Sequence, residues 1–314
     1  MKTWWITMGD FSDHTARVVE LTRASGVFST RQVLEHTPPP SRRVLGKGFT
    51  GAVRRDDTVW VCDFNAIYKL SISTGALTLW ASCGGFNDLH HVAIDGDHVF
   101  IANTGHDRVE VFSTAGEFLG GYALAIAEEE REPPSNDPYF ERDDANLPLH
   151  QRILADRVHP NHVCARGGRL LVTCFAERRV RDLAMWEDVI PDTHGHPHDG
   201  VFAGDHFWIT TTDGVVSAWE PSARGPFKEV HRVDTFARAG VSGWCRGLWV
   251  GEELMLVGLT RISRMPGYRW CDRPFESTRT AILALDRMSG EPLDVIDLES
   301  FGAHPKLFSI LEVS

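Results

Sequence analysis

The sequence predicts an all-β fold: a six-bladed β-propeller formed by residues 1–314 as one domain, its last blade closed by strands from both ends of the chain. Three observations lead there. An imperfect segment recurs, reading FTGAVRRDDTVWVCDFN from Phe49, LHHVAIDGDHVFIANTG from Leu89, PNHVCARGGRLLVTCFA from Pro160, PHDGVFAGDHFWITTTD from Pro197 and WCRGLWVGEELMLVGLT from Trp244. The first two copies begin about 40 residues apart, a length that suits four short antiparallel strands. Between turns of Gly, Asp and Asn the chain runs in short β-branched or aromatic stretches, such as VWVCDF, HVFIAN, RLLVTCF and LMLVGLT.

Taken in order, WWITM, ARVVEL and RQVLEH supply three strands of the split blade. ARVVELTR also has a helical reading, although it alternates well as a strand. HTPPPSRR at His36–Arg43 is a connector. Five blades then begin near Phe49, Leu89, Pro160, Pro197 and Trp244, and KLFSILEV returns as the inner strand of the sixth. No repeat copy is left for a seventh. Two insertions interrupt the series. Gly121–Arg152 is acidic and Pro-rich, with a helical stretch at Ala125–Arg131, and reads as a surface loop or as a lid over one face. Ser263–Thr278 is rich in Arg and aromatics and lies within the fifth blade.

Composition bounds the function. The apolar content and ten tryptophans are ample for a large core, and the net charge of −11 disfavours nucleic acid or anionic membranes as partners. The start, MKTWWITMGDFSDH, is too quickly polar for a secretory h-region, and no long apolar run suggests a membrane span, so a soluble, cytoplasmic protein is expected. The six cysteines contain no CxxC pair, and several sit in strand-like runs as buried thiols. There is no GxSxG elbow, P-loop or GxGxxG fingerprint. Cys245 has no partner spacing that marks it as a nucleophile.

Equivalent positions of stacked blades meet at the axis, so the aligned columns define the site. One column reads Thr50, His90, Asn161, His198, Cys245, and the next reads Gly51, His91, His162, Asp199, Arg246. Side chains alternate along a strand, so one column is expected to face the channel. If it is the second, His91, His162 and Asp199 offer two imidazoles and a carboxylate to a divalent ion such as Fe, Zn, Mn or Ni. If it is the first, His90 and His198 flank Asn161, and Asn161 with Asp199 suits Ca, the lesser candidate. The approach Thr193-His194-Gly195-His196-Pro197-His198 adds further imidazoles. Taken singly, these residues are ordinary turn and strand-start residues; it is their alignment that points to a site. Arg246 is expected to hold an anionic substrate. The loops on the same face add Asp10, Asp13, His14, Asp63, Asn103, His106 and Asp107, mostly turn formers, with His106 or His14 as a general base and His304 at the rim.

HHVAIDGDHVFIANTGHDRVEVFSTAGEFLG resembles the NHL-type and gluconolactonase-like six-bladed propellers. GWCRGLWVGEELMLVGLTRIS and KLFSILEV resemble a less characterised bacterial propeller family. The first resemblance implies an axial divalent cation held by Glu, Asn and Asp. Asn161 and Asp199 match two of those roles, no Glu answers the third, and His91 and His162 depart from the pattern. Propeller lyases with an axial His and a metal are a looser analogy. The expected function is therefore a metal-dependent enzyme (lyase, hydrolase or oxygenase), its metal held by His91, His162 and His198 or Asp199 with His90 beside them, acting on a small anionic molecule. The alternative is a non-catalytic binding module, marked by an exposed aromatic patch at Trp244, Tyr268 and Trp270.

Overall fold

The computed structural model describes residues 1–125, 157–262 and 273–314, which form six four-stranded antiparallel sheets. One sheet is split: β1 (Lys2–Asp10), β2 (Ala16–Ala24) and β3 (Val27–His36) are joined by β24 (Pro305–Glu312), which pairs with β1 as the inner strand. ARVVELTR is thus a strand. A single 3-10 turn at Pro40–Arg42 connects this sheet to the next.

The other five sheets are continuous in sequence. They are β4–β7 (Ala52–Arg55, Thr58–Cys62, Ala66–Ser71, Leu77–Ser82) and β8–β11 (Leu89–Asp95, His98–Asn103, Arg108–Ser113, Phe118–Ala123). Next come β12–β15 (Pro160–Arg166, Arg169–Cys174, Arg179–Asp182, Glu187–Ile190) and β16–β19 (Pro197–Ala203, His206–Thr211, Val215–Glu220, Lys228–Asp234). After α1 (Thr235–Ala239) the last is β20–β23 (Trp244–Val250, Leu254–Thr260, Ala281–Asp286, Pro292–Asp297). The architecture is the six-bladed propeller that the repeats predict.

Six hydrophobic clusters hold the ring, one in each interface between neighbouring blades. Trp4, Ile6, Leu256 and Ile282 join the split blade to its predecessor, and Trp5, Val18, Phe49 and Tyr68 join it to its successor. Each blade is covered on both faces, so its middle strands are apolar throughout: β21 is buried along its whole length, whereas the outermost β23 is almost entirely exposed. That is why these strands read as runs rather than alternations.

β11 extends through Ala123, so the outer strand of its blade enters the stretch predicted as an insertion. Phe275–Ser277 at the end of the second insertion forms a 3-10 turn. The helical stretch after Ala125, the lid reading of the acidic insertion, and Tyr268, Trp270 and Cys271 lie outside the described residues. None of the five described cysteines is in a disulfide. Among the described residues, no helix is long and apolar enough to cross a membrane.

Candidate functional site

The inner strands start at one face of the ring, and most carry a bulge there. Opposite β9, Leu89 faces Asn103 and His91 faces Ala102, which leaves His90 as an extra residue. Opposite β13, Asn161 is extra in the same way, and opposite β1 it is Phe308. β16 and β20 each shift by one residue, between Pro197 and Gly200 and between Cys245 and Leu248. A bulge breaks the strict alternation of side chains. Both aligned columns therefore reach the axis, at different depths.

The outer layer is a mouth formed by His90, Asn161, His198, Arg246 and Phe308. His90 donates from Nδ1 to Asn161 Oδ1 at 2.7 Å, while the Asn161 amide donates to the Pro197 carbonyl. The His90 ring centre lies 6.4 Å from that of His198 and 6.2 Å from that of Phe308. Asp88 sits below His90, 3.6 Å from its Nε2, and accepts from Lys47 Nζ at 2.6 Å. Burial opposes the ionisation of Asp88, but Lys47 and His90 more than offset it and hold the carboxyl well below the usual range. Burial brings His90 down to about 4.

Arg246 places its guanidinium 3.8 Å over the Trp244 ring and 4.7 Å from that of Phe308. Its position corrects the alignment. Arg246 joins the mouth, and the next residue, Gly247, takes the deeper place by donating its N–H to Asp199 Oδ2 at 2.6 Å. Among the described residues no carboxylate comes within ion-pair distance of Arg246, and its buried Nε has no hydrogen-bond partner. Burial lowers this guanidinium to about 9. Lys306, from β24, enters the same mouth over Phe308.

The inner layer contains His91, His162 and Asp199, which line an axial cavity of about 430 Å³ together with Ser309. His91 and His162 stack with ring centres 3.5 Å apart, and both Nδ1 atoms are buried without a hydrogen-bond partner. Gly51 makes room for this pair, because a Cβ there would collide with the His90 carbonyl and the His91 ring. Asp199 links the layers: its Oδ2 accepts from His198 Nδ1 at 2.9 Å, from Gly247 and from the Thr210 hydroxyl. Burial raises the Asp199 carboxyl, but His198 and these hydrogen bonds bring it to about 2, whereas burial lowers the His198 imidazole. The result is a neutral imidazole with its tautomer fixed by a buried carboxylate, and with Nε2 carrying the lone pair.

The remaining candidates are more scattered. His196 bonds the Phe175 carbonyl and stacks on its ring, and His194 is exposed beside Asp192. His14 lies in the β1–β2 loop, and His106 ends the 3-10 turn after β9, on the face of the mouth. Among the described residues, no three or more His, Cys, Asp or Glu side chains are gathered as a metal site. The His91 and His162 rings face one another at 27°, so their in-plane lone pairs lie in separate planes. Lys47, Asp88, Lys306 and Phe308 were not expected from the sequence. The Pro preceding Lys306, as in the copies at Pro160 and Pro197, was the available signal for the last two.

No protein-family model matches the chain, and neither does any curated protein sequence. Solved structures share the fold. A protein of unknown function from Bacteroides caccae is 12% identical with a TM-score of 0.66, covering 100% of this chain and 99% of that one. A chain of the nidogen/laminin complex is 11% identical with a TM-score of 0.64 over 99% of this chain and 98% of that one. A candidate 6-phosphogluconolactonase from Bacteroides fragilis is 11% identical with a TM-score of 0.55, covering 100% and 98%. This likeness concerns the propeller alone.

Proposed function

We propose that the mouth binds a small anionic molecule and that the protein is an enzyme acting on it by proton transfer, of the lyase or hydrolase kind. The observation that carries this reading is Arg246, buried without a carboxylate partner in a mouth that also receives Lys47 and Lys306. A buried guanidinium ordinarily has an acid beside it. Here Asp88 is taken by Lys47 and His90, and Asp199 by His198. An incoming carboxylate or phosphate supplies the missing charge through charge-assisted hydrogen bonds. His198 Nε2 then accepts or returns a proton, with Asp199 orienting the ring and stabilising its charged form.

The test is calorimetric titration with acetate, pyruvate, succinate and inorganic phosphate, alongside folded Arg246→Gln. Binding of at least one anion, weakened about 10-fold or more in the variant, is expected for the loss of a charge-assisted pair of about 1.5–3 kcal/mol. If none binds, or the variant binds equally well, the reading is wrong. Binding without turnover of any ligand would make the propeller a binding module.

A second reading keeps the divalent ion, favoured by the buried, unpartnered Nδ1 atoms of His91 and His162 near Asp199. It requires a ring to turn out of the stack, and no step of the chemistry above passes through it. Elemental analysis of protein purified without added metal, beside His91→Ala/His162→Ala, decides it. About one equivalent of Fe, Zn, Mn or Ni, lost in the folded variant, supports an axial metal; none, even after reconstitution, removes it.

A further inference from the structure

We propose that Lys306 is a nucleophilic lysine that forms an imine with a carbonyl group of the anion bound in the mouth, so that the ligand class is the short 2-oxo acids. The proposal rests on the anion-binding reading above. Lys306 is the second residue of β24 and is 4% exposed. Its Nζ donates to the Gly46 carbonyl and lies 4.7 Å over the Phe11 ring and 5.2 Å over the Phe308 ring. Among the described residues no carboxylate is within ion-pair distance of it. Lys47, on the same face, shows the ordinary arrangement: it is less buried and has Asp88 at 2.6 Å.

The charged groups around Lys306 are unevenly balanced. Lys47 and Arg246 disfavour a third cation, whereas Asp88 and Asp10 favour it. Both carboxylates are occupied, Asp88 by Lys47 and His90, and Asp10 by Ser12 and the His304 N–H. Burial first, then Lys47 and Arg246, place the amine well below the usual lysine range. A neutral amine still donates to Gly46 and retains the lone pair that an ammonium lacks.

Phe308 joins the two cations in one site. Arg246 and Lys306 both approach this one phenyl ring, Arg246 at 4.7 Å and Lys306 at 5.2 Å. The ligand class that follows from the proposal carries a carboxylate for Arg246 beside a carbonyl for Lys306. In the step itself the Nζ lone pair attacks the carbonyl carbon and forms the C–N bond, and the carbonyl π electrons move to oxygen, which takes a proton. The resulting carbinolamine loses its hydroxyl, with a proton, as water, leaving C=N. The protonated imine draws electrons from the neighbouring carbon, the activation that lyase chemistry uses.

The chain has five lysines, so the site of reaction can be mapped without ambiguity. Full-length protein is incubated with pyruvate and sodium cyanoborohydride, which reduces an imine to a stable secondary amine, and the adduct is mapped by peptide mass spectrometry. At pH 7 an unperturbed lysine is only about 0.04% neutral. Modification of Lys306 at least about 10-fold faster than of Lys2, Lys69 or Lys228 is expected, saturating with pyruvate and slowed by acetate. Folded Lys306→Arg should lose the adduct. Pyruvate binding without preferential labelling of Lys306 overturns the imine and leaves the anion site standing. No binding of pyruvate, acetate or phosphate overturns both. The wild-type map decides the matter even if the variant does not fold.

Discussion

The ring of His162 lies face to face with that of His91, and His90 sits at the mouth above them. Burial brings both His90 and His162 down to about 4 from an ordinary value of 6.5. These rings are neutral in the folded protein at a pH where the unfolded chain protonates them, so acid favours unfolding. The stabilisation is complete above 6.5 and is lost as the pH falls toward 4, reaching about 3 kcal/mol for each ring. Denaturant titrations at pH 7 and pH 5 should show a marked fall in stability. In His162→Gln that fall should be roughly 2 kcal/mol smaller; an unchanged fall would show that this ring does not control it. His90, His91, His162, His198 and Asp199 were legible because the repeat places them in register. Lys47 and Asp88 precede their copies of the repeat, and Lys306 and Phe308 belong to the split blade, so no alignment brought them forward.

The strands explain why two columns that seemed to exclude each other both serve the axis. A one-residue bulge leaves no mark in a pattern of apolar and polar residues, so alternation alone suggested a choice. It also set Arg246 one place too deep. The middle strands carry a second device. Thr7, Thr104, Thr173 and Thr260, in or just beyond second strands, each donate a hydroxyl to a carbonyl near the start of the next blade's inner strand: those of Thr50, Pro160, His198 and Leu307. Thr173 also accepts the N–H of His162, the residue after the bulge. Thr173→Val keeps the shape and strands both groups in a dry interface. A loss of about 1–3 kcal/mol is expected in equilibrium unfolding, together with a change in the imidazole NMR signals of His162 and His198. A stability within 0.5 kcal/mol of wild type would show the hydroxyl to be incidental.

Across the whole ring, five sheets and the split sixth followed from spacing, turns and strand-like runs. Those features are local, and each blade is a local unit whose apolar faces require neighbours. The mouth is not local: it gathers side chains from loops and strand starts of separate blades, and its charge balance depends on which acids are already paired. The chain is acidic, at −11 overall, yet its axial mouth collects Lys47, Arg246 and Lys306. Bulk composition therefore says little about the ligand, and the local balance at the axis decides it.

The inner layer has a consequence for the wall around the axis. His91 on His162, Asp199 bonded to Gly247, and the Ala52 N–H bonded to Ser309 each join the inner strands of two neighbouring blades. The ring is thus stapled at alternate seams. Asp199 lines the inner cavity while its bond to His198 reaches the mouth, so one carboxylate couples the two ends of the axis.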